Sequence, residues 1–181
     1  MIVPGELYRF EIELSDVDRG VYDTQSLRVA CHPSETAPFL LCRVLAYALH
    51  FAEGIGLSAG LCLPDEPAVF VRDLEGTLRL WVEVGQPSAE RLHRATRSGA
   101  EVFVYTYKDP AVLMQQLERE RIHRREEVAI VAVPPAFLSA LAALTERRNQ
   151  WSLVRQDDYV VLSVGGQSLE APLPRLALTS P

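Results

Sequence analysis

The chain has 181 residues, of which 48% are hydrophobic and 23% charged, and its net charge is −6. This length suits one domain, residues 1–181, with a core of its own. The acidic balance excludes a broad nucleic-acid-coating surface, since phosphate binding rests on Lys and Arg neutralisation, but it leaves room for a local basic groove.

The opening residues, Met1 to Arg9, carry charge where a signal peptide needs an apolar stretch. From Leu7 to Leu14, Tyr8, Phe10, Ile12 and Leu14 alternate with Arg9, Glu11 and Glu13, the pattern of a half-buried strand. Asp16 to Gly20 reads as a turn, and Thr24 to Cys31 alternates again, so an antiparallel pair is expected. His32-Pro33-Ser34-Glu35-Thr36 starts a helix, with Ser34 or Thr36 as cap and Pro38 in the first turn. That helix is expected to reach about Glu53, where Gly54 and Gly56 stop it. It is apolar nearly all round, hence a core helix. Arg43 and His50 interrupt its apolar run, which is too short to cross a bilayer.

Gly56 to Asp65 reads as a loop. A short strand over Ala68 to Val71, a turn at Asp73 to Gly76 and a strand over Thr77 to Val84 follow. Pro87-Ser88 opens a helix through Arg97, with Leu92 and Ala95 inward, and Glu101 to Tyr107 is the next strand. Strand, helix and strand at this spacing predict a parallel crossover. Pro110 to Arg121 reads as helix, Val128 to Val133 as a buried strand, and Pro134-Pro135 as the start of a helix to about Arg147. Trp151 to Arg155 and Tyr159 to Val164 form a hairpin, with a turn at Gly165-Gly166. The expected class is α/β, a central mixed β-sheet flanked by helices.

Cys31, Cys42 and Cys62 show no CxxC spacing, as expected of reduced thiols in the cytosol. The four histidines do not cluster with them, so no structural zinc set is visible. The chain reads as cytoplasmic, with no membrane partner.

The chemistry-bearing residues are acids. Glu35 lies at the start of the core helix, Asp65 enters the short strand, and Glu83 ends the neighbouring strand. Carboxylates held together repel unless a cation or a proton joins them. A hard cation such as Mg²⁺ or Mn²⁺ takes one or two carboxylates and keeps waters for a substrate phosphate.

The order of helix Glu, Pro-Asp and strand Glu resembles the PD-(D/E)XK nuclease superfamily. More narrowly, by the segments Ala30-Cys31-His32-Pro33-Ser34-Glu35-Thr36, Gly60-Leu61-Cys62 with Asp65-Glu66-Pro67, Leu80-Trp81-Val82-Glu83-Val84-Gly85 with Pro87, and Val104-Tyr105-Thr106-Tyr107, the chain is identified as a member of the bacterial YaeQ family. The resemblance implies a PD-(D/E)XK nuclease-like core, with Glu35, Asp65 and Glu83 as ligands of Mg²⁺ or Mn²⁺. It also implies a lysine two residues after Glu83, where this chain has Gly85. The cation then falls to the following helix, at Arg91 or Arg94, with Arg94 ranked first, or to Lys108 beyond the next strand. Gln86 is suited to hold a water. Arginine keeps its proton, so it would act as an electrostatic clamp rather than a base.

Each acid also has a structural reading: Glu35 on a helix dipole, Asp65 in turn chemistry, and Glu83 on a solvent face beside Arg79. Arg43, within an apolar helix, needs a carboxylate, which Glu35 or Asp65 would supply. Gly56-Leu57-Ser58-Ala59-Gly60 matches GxSxG but lacks its strand-then-helix setting. The run Glu118 to Glu127 reads as a solvated helix end. Two functions are expected to compete: a metal-dependent hydrolase of nucleic acid, and an inactive nuclease-fold module that binds nucleic acid or a protein in regulation.

Overall fold

A computed structural model describes residues 1–59 and 66–178. Its strands build two mixed sheets rather than the single central sheet expected. In the first sheet, β1 (Leu7–Asp16) and β2 (Val21–Ala30) pair antiparallel. Beside β1 lies β8 (Arg148–Gln156), in parallel, followed outward by β9 (Tyr159–Val164) and β10 (Gln167–Pro172). Alternation along a strand tells which side chains face inward, but not which strand lies beside it. Nothing in the local sequence announces that the first strand lies against the eighth.

The second sheet runs in the order β11-β7-β6-β5-β4-β3. These strands are β3 (Ile55–Leu57), β4 (Val69–Arg72), β5 (Leu78–Val84), β6 (Glu101–Thr106), β7 (Val128–Ala132) and β11 (Arg175–Ala177). Strands β5, β6 and β7 are parallel, as the strand–helix–strand spacing predicts. Strand β3 occupies part of the segment read as a loop, because its three residues pair with β4.

Helix α1 (Ala37–Leu49) is buried between the two sheets beside α4 (Pro135–Leu144), contacting β1 on one side and β3 to β6 on the other. Its apolar girdle follows from that double burial. On the far face of the second sheet, α2 (Ala89–Arg97) and α3 (Pro110–Leu117) cover Trp81, Val102, Val104 and Ile130.

Several boundaries are shorter than the sequence suggests. Helix α1 begins after Thr36 and ends at Leu49 instead of Glu53, so Glu35 precedes the helix and does not sit in its first turn. Helix α3 stops at Leu117. The charged run beyond it is not wholly solvated, because buried Arg125 donates to the carbonyls of Leu117, Glu118 and Glu120. One arginine thereby satisfies carbonyls that the end of α3 leaves open. Cys31 and Cys42 are free and buried, while Cys62 lies outside the described residues. No helix among the described residues is long and apolar enough to cross a membrane.

Candidate functional site

Glu83 is placed by β5. Residues two apart on a strand share a face, so Trp81 and Glu83 both look toward α2. The Trp81 indole N–H donates to Glu83 Oε1 at 2.6 Å. Arg91 Nε lies 2.7 Å from the same oxygen. The Ser88 side chain accepts the Arg91 backbone N–H and caps α2, fixing the helix start from which Arg91 reaches back. Arg91 Nη2 also donates to Glu66 O at 2.6 Å.

Glu83 is 4% exposed. Burial pushes its carboxyl above the ordinary glutamate range, and the hydrogen bonds from Arg91 and Trp81 only partly oppose this. It is therefore not a solvent-facing glutamate beside Arg79, whose guanidinium pairs with Asp73 instead. A pocket of about 250 Å³ opens here, lined among others by Glu83, Gln86, Ser88, Arg91, Ser58 and Phe39.

Glu35 does not line that pocket. Its Oε1 accepts from Arg43 Nη1 at 2.6 Å, and its Oε2 accepts the His32 backbone N–H at 2.8 Å. The partner that a buried Arg43 requires is thus Glu35. Arg43 Nη2 continues to Ser58 O at 2.9 Å, which links this pair to the pocket wall.

Asp65 lies outside the described residues. Arg94 is exposed and pairs with Glu90 at 3.4 Å, and exposed Lys108 follows β6; neither lines the pocket. Of the basic residues considered, Arg91 is the one that meets Glu83. Ser58 is buried and follows strand β3, with no helix described directly after it. Tyr105 is core packing, its hydroxyl bonded to His50 Nε2 at 3.0 Å.

Two residues escaped the sequence reading: Trp81 as a donor to Glu83, and Arg91 ahead of Arg94. Helix geometry held the signal for the second. At roughly 100° per residue, Arg91 flanks the inward face of Leu92 and Ala95, whereas Arg94 points further out.

Gly85 explains why no lysine follows. Its φ is +88°, a conformation costly for any residue with a Cβ, while its N–H still donates to Tyr105 O at 2.8 Å. Gly85→Lys is expected to lower stability by about 1–2 kcal/mol, read as a shift in the urea midpoint with an unchanged slope. An unshifted midpoint would refute this account of the missing lysine.

Among the described residues no three His, Cys, Asp or Glu side chains are grouped to hold a metal. Trp81 and Arg91 share Oε1 of Glu83, Oε2 takes no hydrogen-bond partner among the described residues, and Gln86 lines the same pocket. Both oxygens of Glu35 already accept a hydrogen bond, one of them from the Arg43 guanidinium. Any hard cation there would meet Glu83 with the Arg91 guanidinium beside it, and would keep most of its waters.

The YaeQ protein family model matches residues 1–173. A protein of Escherichia coli strain K12, described as the uncharacterized protein YaeQ, is 28% identical over 174 residues, covering 96% of each chain. The crystal structure of the YaeQ protein from Xanthomonas axonopodis pv. citri superposes with a TM-score of 0.84 at 29% identity, over 97% of this chain and 98% of that one. That of the YaeQ protein from Pseudomonas syringae gives 0.83 at 31% identity, over 98% and 97%.

Proposed function

The chain belongs to the YaeQ family, and from that premise we propose that it is a divalent-metal-dependent phosphodiester hydrolase acting on nucleic acid, with a PD-(D/E)XK-like core. The observation that carries this reading is the Glu83–Arg91 contact of 2.7 Å at the end of β5, inside a pocket. It sets an acid and a fixed cation side by side at the end of β5. Glu83, with Gln86 beside it, would hold Mg²⁺ or Mn²⁺. When bound, such an ion lowers the pKa of a water and offsets charge on the phosphate. Asp65 is proposed as a further ligand.

The chain's own residues do the rest. Arg91 clamps a substrate phosphate oxygen electrostatically, and its permanent charge bars it from acting as the base. Its hydrogen bond to Glu66 O and the Ser88 cap hold it in place. Gln86 orients a water toward the phosphorus. Trp81 fixes the Glu83 carboxylate through one oxygen. Arg94 and Lys108, both exposed, are proposed to steady phosphates further along the strand.

The occupied oxygens of Glu35 and the shared Oε1 of Glu83 favour a second reading, an inactive module of the same fold that binds nucleic acid or a protein. Cleavage of single- and double-stranded DNA and RNA with Mn²⁺ separates the two. Hydrolysis requires cleavage by the wild type that disappears in Glu83→Gln and falls by roughly 10²-fold in Arg91→Gln. Absence of metal-dependent cleavage across that panel leaves only the binding module.

A further inference from the structure

A cleft of about 670 Å³ lies away from Glu83, at the opposite end of β5. Its wall brings together the β1–β2 loop, the end of α1, the starts of β5 and β6, the β8–β9 turn and β11. Four arginines and four acids line it, so net charge alone selects no ligand. What distinguishes the two sets is how far their hydrogen bonds are already spent.

At the floor, Arg155 is 3% exposed and gripped by fully buried Asp16: Nε donates to Oδ1 at 3.0 Å and Nη2 to Oδ2 at 2.6 Å. Arg19 gives Nε to Asp16 Oδ2 at 2.7 Å and Nη1 to Phe51 O at 3.2 Å. Arg175 approaches Asp158 Oδ1 through Nε at 3.4 Å, and its guanidinium sits 5.4 Å from the centre of the Phe103 ring. Nη1 of Arg155, Nη2 of Arg19 and both Nη groups of Arg175 take no hydrogen-bond partner among the described residues. Guanidinium groups so fixed are preorganised for an oxyanion.

The acids divide differently. Asp18 accepts the backbone N–H groups of Asp157 and Asp158 at 2.7 and 3.2 Å and holds the β8–β9 turn. Asp157 and Glu101 are exposed at the rim. Carboxylates in such positions accept hydroxyl groups. Between floor and rim, His50 is uncharged: burial, helped by Arg155, Arg19 and Arg175 and opposed by Asp16, pulls its pKa to about 3.

We infer that this cleft is a second ligand site, which takes the phosphate monoester of a small polyol, its phosphate on Arg155, Arg19 and Arg175 and its hydroxyls on the rim carboxylates. Asp16, through its grip on Arg155 and Arg19, is a positioning residue.

The test is calorimetric titration of the full chain with ribose 5-phosphate, inorganic phosphate and ribose, alongside thermal melts. Ribose 5-phosphate is expected to bind and raise Tm saturably, phosphate more weakly, and ribose not at all. Arg175→Gln removes the guanidinium of a side chain that is 43% exposed, a loss the fold tolerates. It is expected to weaken ribose 5-phosphate binding by about 10- to 100-fold without changing the Tm of the free protein. Glu83→Gln is expected to leave binding intact. Absence of heat and of a Tm shift with ribose 5-phosphate, binding unaffected by Arg175→Gln, or binding lost instead in Glu83→Gln would each overturn the assignment. None of these readouts depends on nucleic-acid cleavage.

Discussion

Arg43→Leu is expected to lower the unfolding free energy by about 3–5 kcal/mol. Arg43 is 1% exposed within α1, and Glu35 is 4% exposed. Removing the guanidinium leaves a buried carboxylate with, among the described residues, only the His32 backbone N–H as donor, and it takes one donor away from the Ser58 carbonyl. The pair itself need not be worth that much, because bringing both charges out of water offsets much of their attraction. The double variant Glu35→Gln/Arg43→Leu is therefore expected to recover a large part of the loss. Urea unfolding of the two single variants and the double variant gives the coupling directly. A single-variant loss below about 1 kcal/mol would mean that water reaches the pair and that it does not anchor the entry to α1.

The second large effect is on acid stability. His50 is buried against Tyr105 and Phe103, and its pKa falls from 6.5 to about 3 through burial first and the neighbouring arginines second. Well above pH 6.5 the histidine is neutral in both the folded and unfolded chain and makes no ionisation contribution. Below it the unfolded chain takes up a proton that the folded chain refuses, so stability falls with pH until the folded pKa is reached. The loss by pH 4 is roughly 3 kcal/mol. His50→Gln is expected to keep a polar partner for Tyr105 and to flatten this limb between pH 6.5 and 4. Equal pH slopes for wild type and variant in that window would show that His50 already titrates near its ordinary pKa.

Local order was legible in the sequence, and long-range partnership was not. The alternation of Tyr8, Phe10, Ile12 and Leu14 located β1 and its buried face, and the apolar run of Val128 to Val133 located β7. Proline and serine signals placed α2 and α4 to within a few residues. The second sheet was missed because β1 pairs with a strand about 140 positions later, and each strand alone reads the same whichever neighbour it has. One hint was present: a helix apolar on every side must be covered on every side, and a single sheet covers one. At the site, the need of Arg43 for a carboxylate followed from burial logic and was met by Glu35. The choice between Arg91 and Arg94 was decided by helix phase, a quantity the sequence contains but that a one-turn spacing argument ignores. The contribution of Trp81 needed the pleat and the rotamer together, which no residue pattern encodes.

The parallel pairing of β1 with β8 also dictates a schedule. During synthesis β1 and β2 emerge first, yet one long edge of β1 stays open until Arg148 to Gln156 has left the ribosome. For most of translation that edge is a template for any passing strand. Closing it demands a loop of well over a hundred residues, the sort of distant contact that slows folding and lengthens exposure to aggregation. The charged outer residues of β1, Arg9, Glu11 and Glu13, sit where like strands from two growing copies would meet, and they discourage that meeting until the C-terminal strands arrive.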